Sequence, residues 1–265
     1  MELGLKGRVV LLTGGSGGIG RPLARRFAAE GAQVALTYHR RAGLAEAVVR
    51  DIEEAGAEAM AVPYDLTDRD SIEVATAAVL DRWGGIDVLV VNASATGGPS
   101  PRPVPFERVP VSTWVPQVRT EVEGAFHSVQ AALPALRLRG WGRIVFMSAS
   151  IVSHGRAGEE AYTAGKAALH GLSRSLATEL IGDGILCNVV APGPTLTDGL
   201  LGKLPPALRE RIDGLSPGQA RRILDEGMPH LRFSTVDDVV NVVLFLGSAA
   251  NGNVTGSVVN VAGGL

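Results

Sequence analysis

Arg8-Val9-Val10-Leu11-Leu12-Thr13-Gly14-Gly15-Ser16-Gly17-Gly18-Ile19-Gly20 is an apolar run that ends in a glycine-rich turn and passes directly into Ile19–Glu30, whose apolar residues recur at helical spacing. A short apolar run bounded by a turn reads as a buried strand, and the segment after it as an amphipathic helix. Glycines between a strand and a helix let the backbone approach a phosphate closely. The helix N-terminus behind them supplies free N–H groups and a positive dipole end. Gly14, Ser16, Gly17, Gly18, Ile19 and Gly20 are therefore expected to cradle the phosphates of a nucleotide.

The same alternation continues outward from this unit. Strand-like runs stand at Val9–Leu12, Gln33–Thr37, Glu58–Val62, Val88–Val91, Ile144–Met147, Ile185–Val190 and Val258–Val261. Helical patterns lie between them at Ile19–Glu30, Leu44–Ala55, Asp70–Arg82, Pro116–Leu138, Glu160–Ile181 and Val236–Ala249. Most of the runs lack a polar side, as strands of a parallel sheet covered on both faces do. The expected fold is α/β: a Rossmann-type, doubly wound, seven-stranded parallel sheet in a single domain over residues 1–265. Two segments break the rhythm. Gly97–Pro110 holds five prolines and two glycines, and a polar insertion at about 199–229 is interrupted by Pro205, Pro206 and Pro217. Both follow strands, where open α/β sheets place the ligand crevice.

Bulk properties narrow the function classes. A net charge of −2 gives no global pull toward nucleic acid or a membrane surface. No apolar stretch approaches the roughly 18 residues of a membrane span, and Met1–Gly7 does not read as a leader. The single cysteine, Cys187, sits in an apolar run and cannot form an internal disulfide, so an inert thiol in a reducing, cytoplasmic setting is expected. The five histidines show no metal-ligand spacing, and no metal is expected.

Tyr162 and Lys166 are spaced i, i+4 at the start of a helical pattern and project from one face. A cation one turn away is expected to favour the phenolate and lower the tyrosine pKa, making the phenol an acid–base group.

Thr13-Gly14-x-x-x-Gly18-Ile19-Gly20 resembles the cofactor fingerprint of the short-chain dehydrogenase/reductase family. The resemblance continues in the family's order through Asp65, Asn92-Ala93, Tyr162-x-x-x-Lys166, Pro192-Gly193 with Thr197, Thr255-Gly256 and Gly263-Gly264. It implies an oxidoreductase that moves hydride between a nicotinamide cofactor and a carbonyl or alcohol. Asp65 and Leu66 would contact the adenine, and Asn92 and Ala93 would sit beside the cofactor. Thr195 and Thr197, after Pro192 and Gly193, would hold the carboxamide, and Lys166 would also hold the nicotinamide ribose. Subunits would pair through the helices at Pro116–Leu138 and Glu160–Ile181, giving a homotetramer or homodimer. After the second strand the chain reads Tyr38-His39-Arg40-Arg41, without the acid that accepts a ribose 2′-OH. Arginine matches phosphate geometry, so NADP(H) is favoured over NAD(H), unless the pair is only a solvated turn.

Two positions depart from the family pattern. Thirteen residues before Tyr162, where the family has a serine, stands Ala149, flanked by Ser148 and Ser150. Where the family has an asparagine stands Glu121, on an apolar stripe with Val118, Val122, Ala125 and Val129. A carboxyl on such a face needs a partner: Lys166, directly or through water, or an arginine such as Arg119 or one from another subunit. His154, in the loop after the fifth strand, is a further candidate donor. The reading that follows is an NADPH-dependent ketoreductase acting on a fairly apolar, polyketide-like or acyl small molecule, with Leu200, Leu201, Leu204 and Leu208 capping the cleft. Two alternatives stand beside it. One is a non-catalytic NADP(H)-binding sensor or scaffold; the other is an enzyme whose substrate supplies the missing donor.

Overall fold

Strand β1 (Val9–Leu12) is buried at all four positions, with Val10 and Leu12 facing one helical layer and Val9 and Leu11 the other. That is the period-two backbone at work. Strands β4 (Val88–Val91), β5 (Gly142–Met147) and β6 (Ile185–Pro192) are likewise buried throughout. Such strands have no solvent side to carry polar residues, hence the unbroken apolar runs. Together with β2 (Gln33–Tyr38), β3 (Ala59–Pro63) and β7 (Val258–Val261) they form one parallel sheet in the order β3-β2-β1-β4-β5-β6-β7. This is the topology of the computed structural model, which describes residues 2–94, 104–227 and 232–264.

The helices are α1 (Gly20–Ala29), α2 (Ala42–Glu54), α3 (Arg69–Trp83), α4 (Val111–Arg139), α5 (Ile151–His154), α6 (Glu160–Leu180), α7 (Asp198–Leu201), α8 (Pro206–Ile212), α9 (Pro217–Gly227) and α10 (Val236–Leu246). Helices α1, α2 and α10 cover one face of the sheet, and α3, α4 and α6 the other. The strand order reverses direction between β1 and β4, which opens the ligand crevice at the carboxyl ends of the strands. The glycine turn, Asn92, Ser148–Ser150 and Pro192–Thr197 all follow those ends.

The opposite end of the sheet is closed by a cationic stack. The Arg8 and Arg143 guanidinium carbons lie 3.9 and 4.2 Å from the Trp141 ring centroid. Arg8 pairs with Asp87 at 2.9 Å. Arg143, at the start of β5, is buried, and its donors go to the carbonyls of Ser248, Gly142 and Asn251. Burial, helped by the charge of Arg8, pulls its pKa down to about 10. Cys187 is buried against Ser173, and burial pushes its thiol up to about 12.

Three sequence expectations change. Helix α4 starts at Val111, five residues before Pro116, because Pro110 makes the N-cap and Pro116 is accommodated inside the helix. Helix α10 stops at Leu246, before Gly247 and Ser248, whose N–H groups turn back to Val243 and Phe245. The insertion is not simply polar, being built around a cluster of leucines. Leu200, Leu201, Leu204 and Leu208 pack onto Leu196, Ile212, Ala220, Leu224 and Phe233, a small core of its own. A bridge between Thr195 and Ser234 closes its base, and Arg221 ties α9 to Asp238 at 3.2 Å. Of the proline-rich loop, residues 97–103 lie outside the described residues; the remainder holds a 3-10 turn, Phe106–Arg108.

Candidate active site

The turn after β1 admits only glycine at several places. Gly14 has φ +67°, a Cβ at Gly20 would lie 2.3 Å from the Gly14 carbonyl oxygen, and one at Gly15 would lie 2.4 Å from Leu36 Cβ. Neighbouring strands brace it. Gly14 N donates to Thr37 Oγ1 at 3.0 Å, and Asn92 Nδ2 donates to the carbonyls of Thr13 and Gly14 at 3.0 and 3.2 Å. The backbone N–H groups of Asn92 and Ala93 both donate to Thr13 Oγ1. Ser16 is buried in the turn, and Ile19 packs on the core beneath it. Helix α1 begins with no side-chain cap and no acidic residue in its first turn; the Arg21 N–H already donates to the Gly17 carbonyl and Pro22 carries no N–H, so a phosphate would be met by the turn ahead of them. Arg21 Nε is buried with no hydrogen-bond partner among the described residues. A braced glycine turn, an uncapped helix start and an orphaned guanidinium donor fit a dinucleotide pyrophosphate.

The other expected cofactor contacts surround this turn. Tyr38 ends β2, and His39, Arg40 and Arg41 beyond it are exposed. His39 Nε2 lies 3.3 Å from Asp65 Oδ2. Hydrogen bonds from the Thr67 N–H and hydroxyl, with the charges of His39 and Arg40, hold the Asp65 carboxyl below its usual range. Leu66 lies against α4 where a Cβ at Gly124 would come within 2.4 Å of Leu66 Cγ. Pro192 ends β6, and the Thr195 hydroxyl donates to the Gly193 carbonyl at 2.9 Å. Thr197 caps α7 and presses on the glycine turn: a Cβ at Gly18 would sit 2.9 Å from Thr197 Cβ. Arg21 of α1 pairs with Asp198 of α7, tying the turn to the insertion.

At the chemical centre the structure brings Tyr162, Lys166 and Glu121 together. Lys166 Nζ lies 2.8 Å from Glu121 Oε2 and donates to the Met147 carbonyl at 3.0 Å, and both charged side chains are buried. Ser94 Oγ donates to the second Glu121 oxygen. Lys166 Nζ is 5.8 Å from the Tyr162 ring centroid. The lysine does not lower the phenol pKa here: burial first, then the carboxylates of Glu121 and Glu159, push it up to about 12. The sequence expectation counted the cation and neither the burial, which is the larger cause, nor the two carboxylates.

Of the two serines beside Ala149, Ser148 is turned away from the crevice. Its hydroxyl donates to the Lys166 carbonyl at 3.1 Å and meets His170 Nε2 at 2.8 Å. Ser150 starts α5, and its hydroxyl is not spent on a cap. His154 is exposed at the end of α5. Two residues escaped the sequence reading. His170, one turn beyond Lys166, orients Ser148, and burial lowers its pKa. Gly165 lets α4 approach α6, since a Cβ there would lie 2.9 Å from Glu121 Cβ. A glycine inside a strong helix, adjacent to the lysine, was the available signal for it. No group of metal-ligating residues occurs among the described residues, and no described helix is long and apolar enough to cross a membrane.

Comparison with known proteins agrees with this geometry. The short chain dehydrogenase family model matches residues 8–203. The 3-oxoacyl-(acyl-carrier-protein) reductase of Staphylococcus aureus is 33% identical over 255 residues, 96% of each chain. The reductase of the same name from Aquifex aeolicus is 34% identical over 266 residues, the full length of both. Among solved structures, a blue fluorescent protein from a metagenomic library in complex with NADPH superposes with TM-score 0.80 at 33% identity, covering 98% of each chain. A 7α-hydroxysteroid dehydrogenase complexed with NADH and 7-oxo glycochenodeoxycholic acid gives TM-score 0.83 at 29% identity, over 99% of this chain and 96% of that one. A seven-stranded parallel sheet, a braced glycine turn and a Tyr162–Lys166 face, matched along nearly the whole chain by such relatives, place this protein in the short-chain dehydrogenase/reductase family of nicotinamide-dependent oxidoreductases.

Proposed function

We propose that the protein is an NADPH-dependent ketoreductase acting on a fairly apolar, acyl or polyketide-like ketone. The observation that carries this reading is the placement of Tyr162 and Lys166 on one face of α6, at the crevice that the glycine turn opens onto. With the phosphates of the dinucleotide in that turn, its nicotinamide would supply the hydride. The chain supplies the rest. Tyr162, held as the phenol, gives its proton to the ketone oxygen. Lys166, fixed by Glu121 and Met147, faces the phenol and the place of the nicotinamide ribose. Ser150 offers the hydroxyl that Ala149 lacks, and Thr195 and Thr197 line the carboxamide end. The 3-oxoacyl substrates named for the relatives, and the 7-oxo steroid bound to a structural neighbour, support a ketone with a sizeable apolar body. The single buried thiol supports a reducing, cytoplasmic setting.

Loss of NADPH absorbance with a panel of 3-oxoacyl thioesters and polycyclic ketones tests the reading. Turnover of at least one is expected. Tight NADPH binding with silence across the whole panel favours the sensor or scaffold reading instead. Cofactor choice is tested separately. NADPH is expected to bind at least tenfold more tightly than NADH, about 1.4 kcal/mol, within reach of one charge-assisted contact to the 2′-phosphate. Arg40→Ala with Arg41→Ala should remove most of that preference in a fluorescence titration. Equal affinities in the native protein would defeat it.

The reading includes pairing of subunits through α4 and α6. Helix α4 shows Phe126 and Leu138 to solvent at 46% and 90% exposure, surface a second copy would cover. Light scattering at micromolar concentration is expected to give a dimer or tetramer mass, and a clean monomer would count against this contact.

A further inference from the structure

A lysine ammonium has three N–H groups to place. In this site one goes to Glu121 Oε2 and one to the Met147 carbonyl, and neither acceptor is solvent-exposed. Glu121 is itself held by Ser94. Gly165 is what lets the carboxylate reach this depth, because any side chain there would collide with the Glu121 methylenes. Glu121 is thus built into the helix–helix contact and aimed at the catalytic lysine.

We propose that Glu121 is a positioning residue that clamps Lys166 and cancels its charge beside Tyr162, so that the site rests with the proton on the phenol. The proposal rests on the reading of Tyr162 as proton donor. An uncompensated ammonium beside a phenol favours the phenolate; an ammonium already paired with a carboxylate does so far less. Reduction of a ketone consumes the phenol form, whereas oxidation of an alcohol needs the phenolate. Among the described residues the charged groups facing Tyr162 are Glu121 from α4, Lys166 from its own helix and Glu159 from the turn before α6, and Glu159 is paired with Arg156 at 2.6 Å. His154, on the adjoining α5, is exposed. Burial first, and then the balance among them, keeps the proton on oxygen.

The test is a phenolate absorbance titration of the cofactor-free protein. Subtracting the matching Tyr162→Phe titration isolates Tyr162 from the other two tyrosines. The native protein is expected to show no Tyr162 phenolate below about pH 11. Glu121→Gln, nearly the same shape without the charge, should lower the midpoint, although burial continues to hold the phenol up. The alkaline rise in alcohol oxidation should move down with it. Glu121→Asp keeps the charge and should stay near the native midpoint. Glu121→Gln combined with Lys166→Met removes both charges and should return the midpoint upward. A midpoint unmoved in folded Glu121→Gln overturns the proposal, as does a double variant shifted as far as the single one. If Glu121→Gln does not fold, Glu121→Asn is read by the same criteria. The titration needs no substrate, so its failure is distinct from failure of the ketoreductase reading, which turnover by the Tyr162→Phe protein decides.

Discussion

Tyr162→Phe is expected to lower ketone turnover by about 10² or more, the scale of a lost general acid, while NADPH binding persists. The substitution removes one oxygen and leaves the ring. Cofactor affinity should survive because the phosphates rest on the Gly14–Gly20 turn, which is braced by Thr37, Asn92 and Thr13 and owes nothing to the phenol. The loss should fall on the chemical step, lowering kcat and kcat/KM together. Stopped-flow single turnover and a fluorescence titration read the two quantities independently. Undiminished turnover on the true substrate would refute the proposed chemistry and leave only the dinucleotide fold.

Lys166→Ala should damage the protein twice. Lys166 and Glu121 are each under 5% exposed and meet at 2.8 Å. Removing one partner of a buried pair costs about 3–5 kcal/mol, because the charge left behind has lost its compensation. For a chain of this size that corresponds to a fall in Tm on the order of 10 °C. Replacing both residues, Lys166→Met with Glu121→Leu, takes both charges out together and should recover most of the stability. Neither variant should turn over, since each lacks the group that faces the phenol and the ribose site. Calorimetry decides the point: a single variant as stable as the native protein would mean that the pair is solvated and contributes little. The combination of restored stability and absent activity would separate the structural share of this lysine from its chemical share.

The strands were legible because burial on both faces leaves a plain apolar signature. Val9–Leu12 and Val88–Val91 match residue for residue. The start of α4 was misplaced because a proline that opens a helix and one tolerated inside it look the same in sequence; only Pro110 at the cap distinguishes them. The insertion leucines were visible, but not that they would satisfy one another. In the site, Glu121 stood out as a carboxyl on an apolar face. Its effect on Tyr162 did not, because the sign depends on three charges and a burial that spacing along α6 does not contain. The orientation of Ser148 toward His170 was equally hidden, since a serine just past a strand carries no mark of the side it turns to.

The guanidinium at the start of β5 has a history within each newly made chain. Arg143 donates to the carbonyls of Ser248 and Asn251, which follow it by 105 and 108 residues. At about 5–20 residues per second, the ribosome delivers those acceptors roughly 5–20 s after the arginine itself. Through that interval the cation stays hydrated and the fifth strand keeps an unfinished end. Its burial waits on residues more than a hundred positions downstream. A nascent polypeptide stalled before Ser248 would therefore already contain the nucleotide turn and the residues that brace it, yet would lack the acceptors that close the floor beneath the fifth strand.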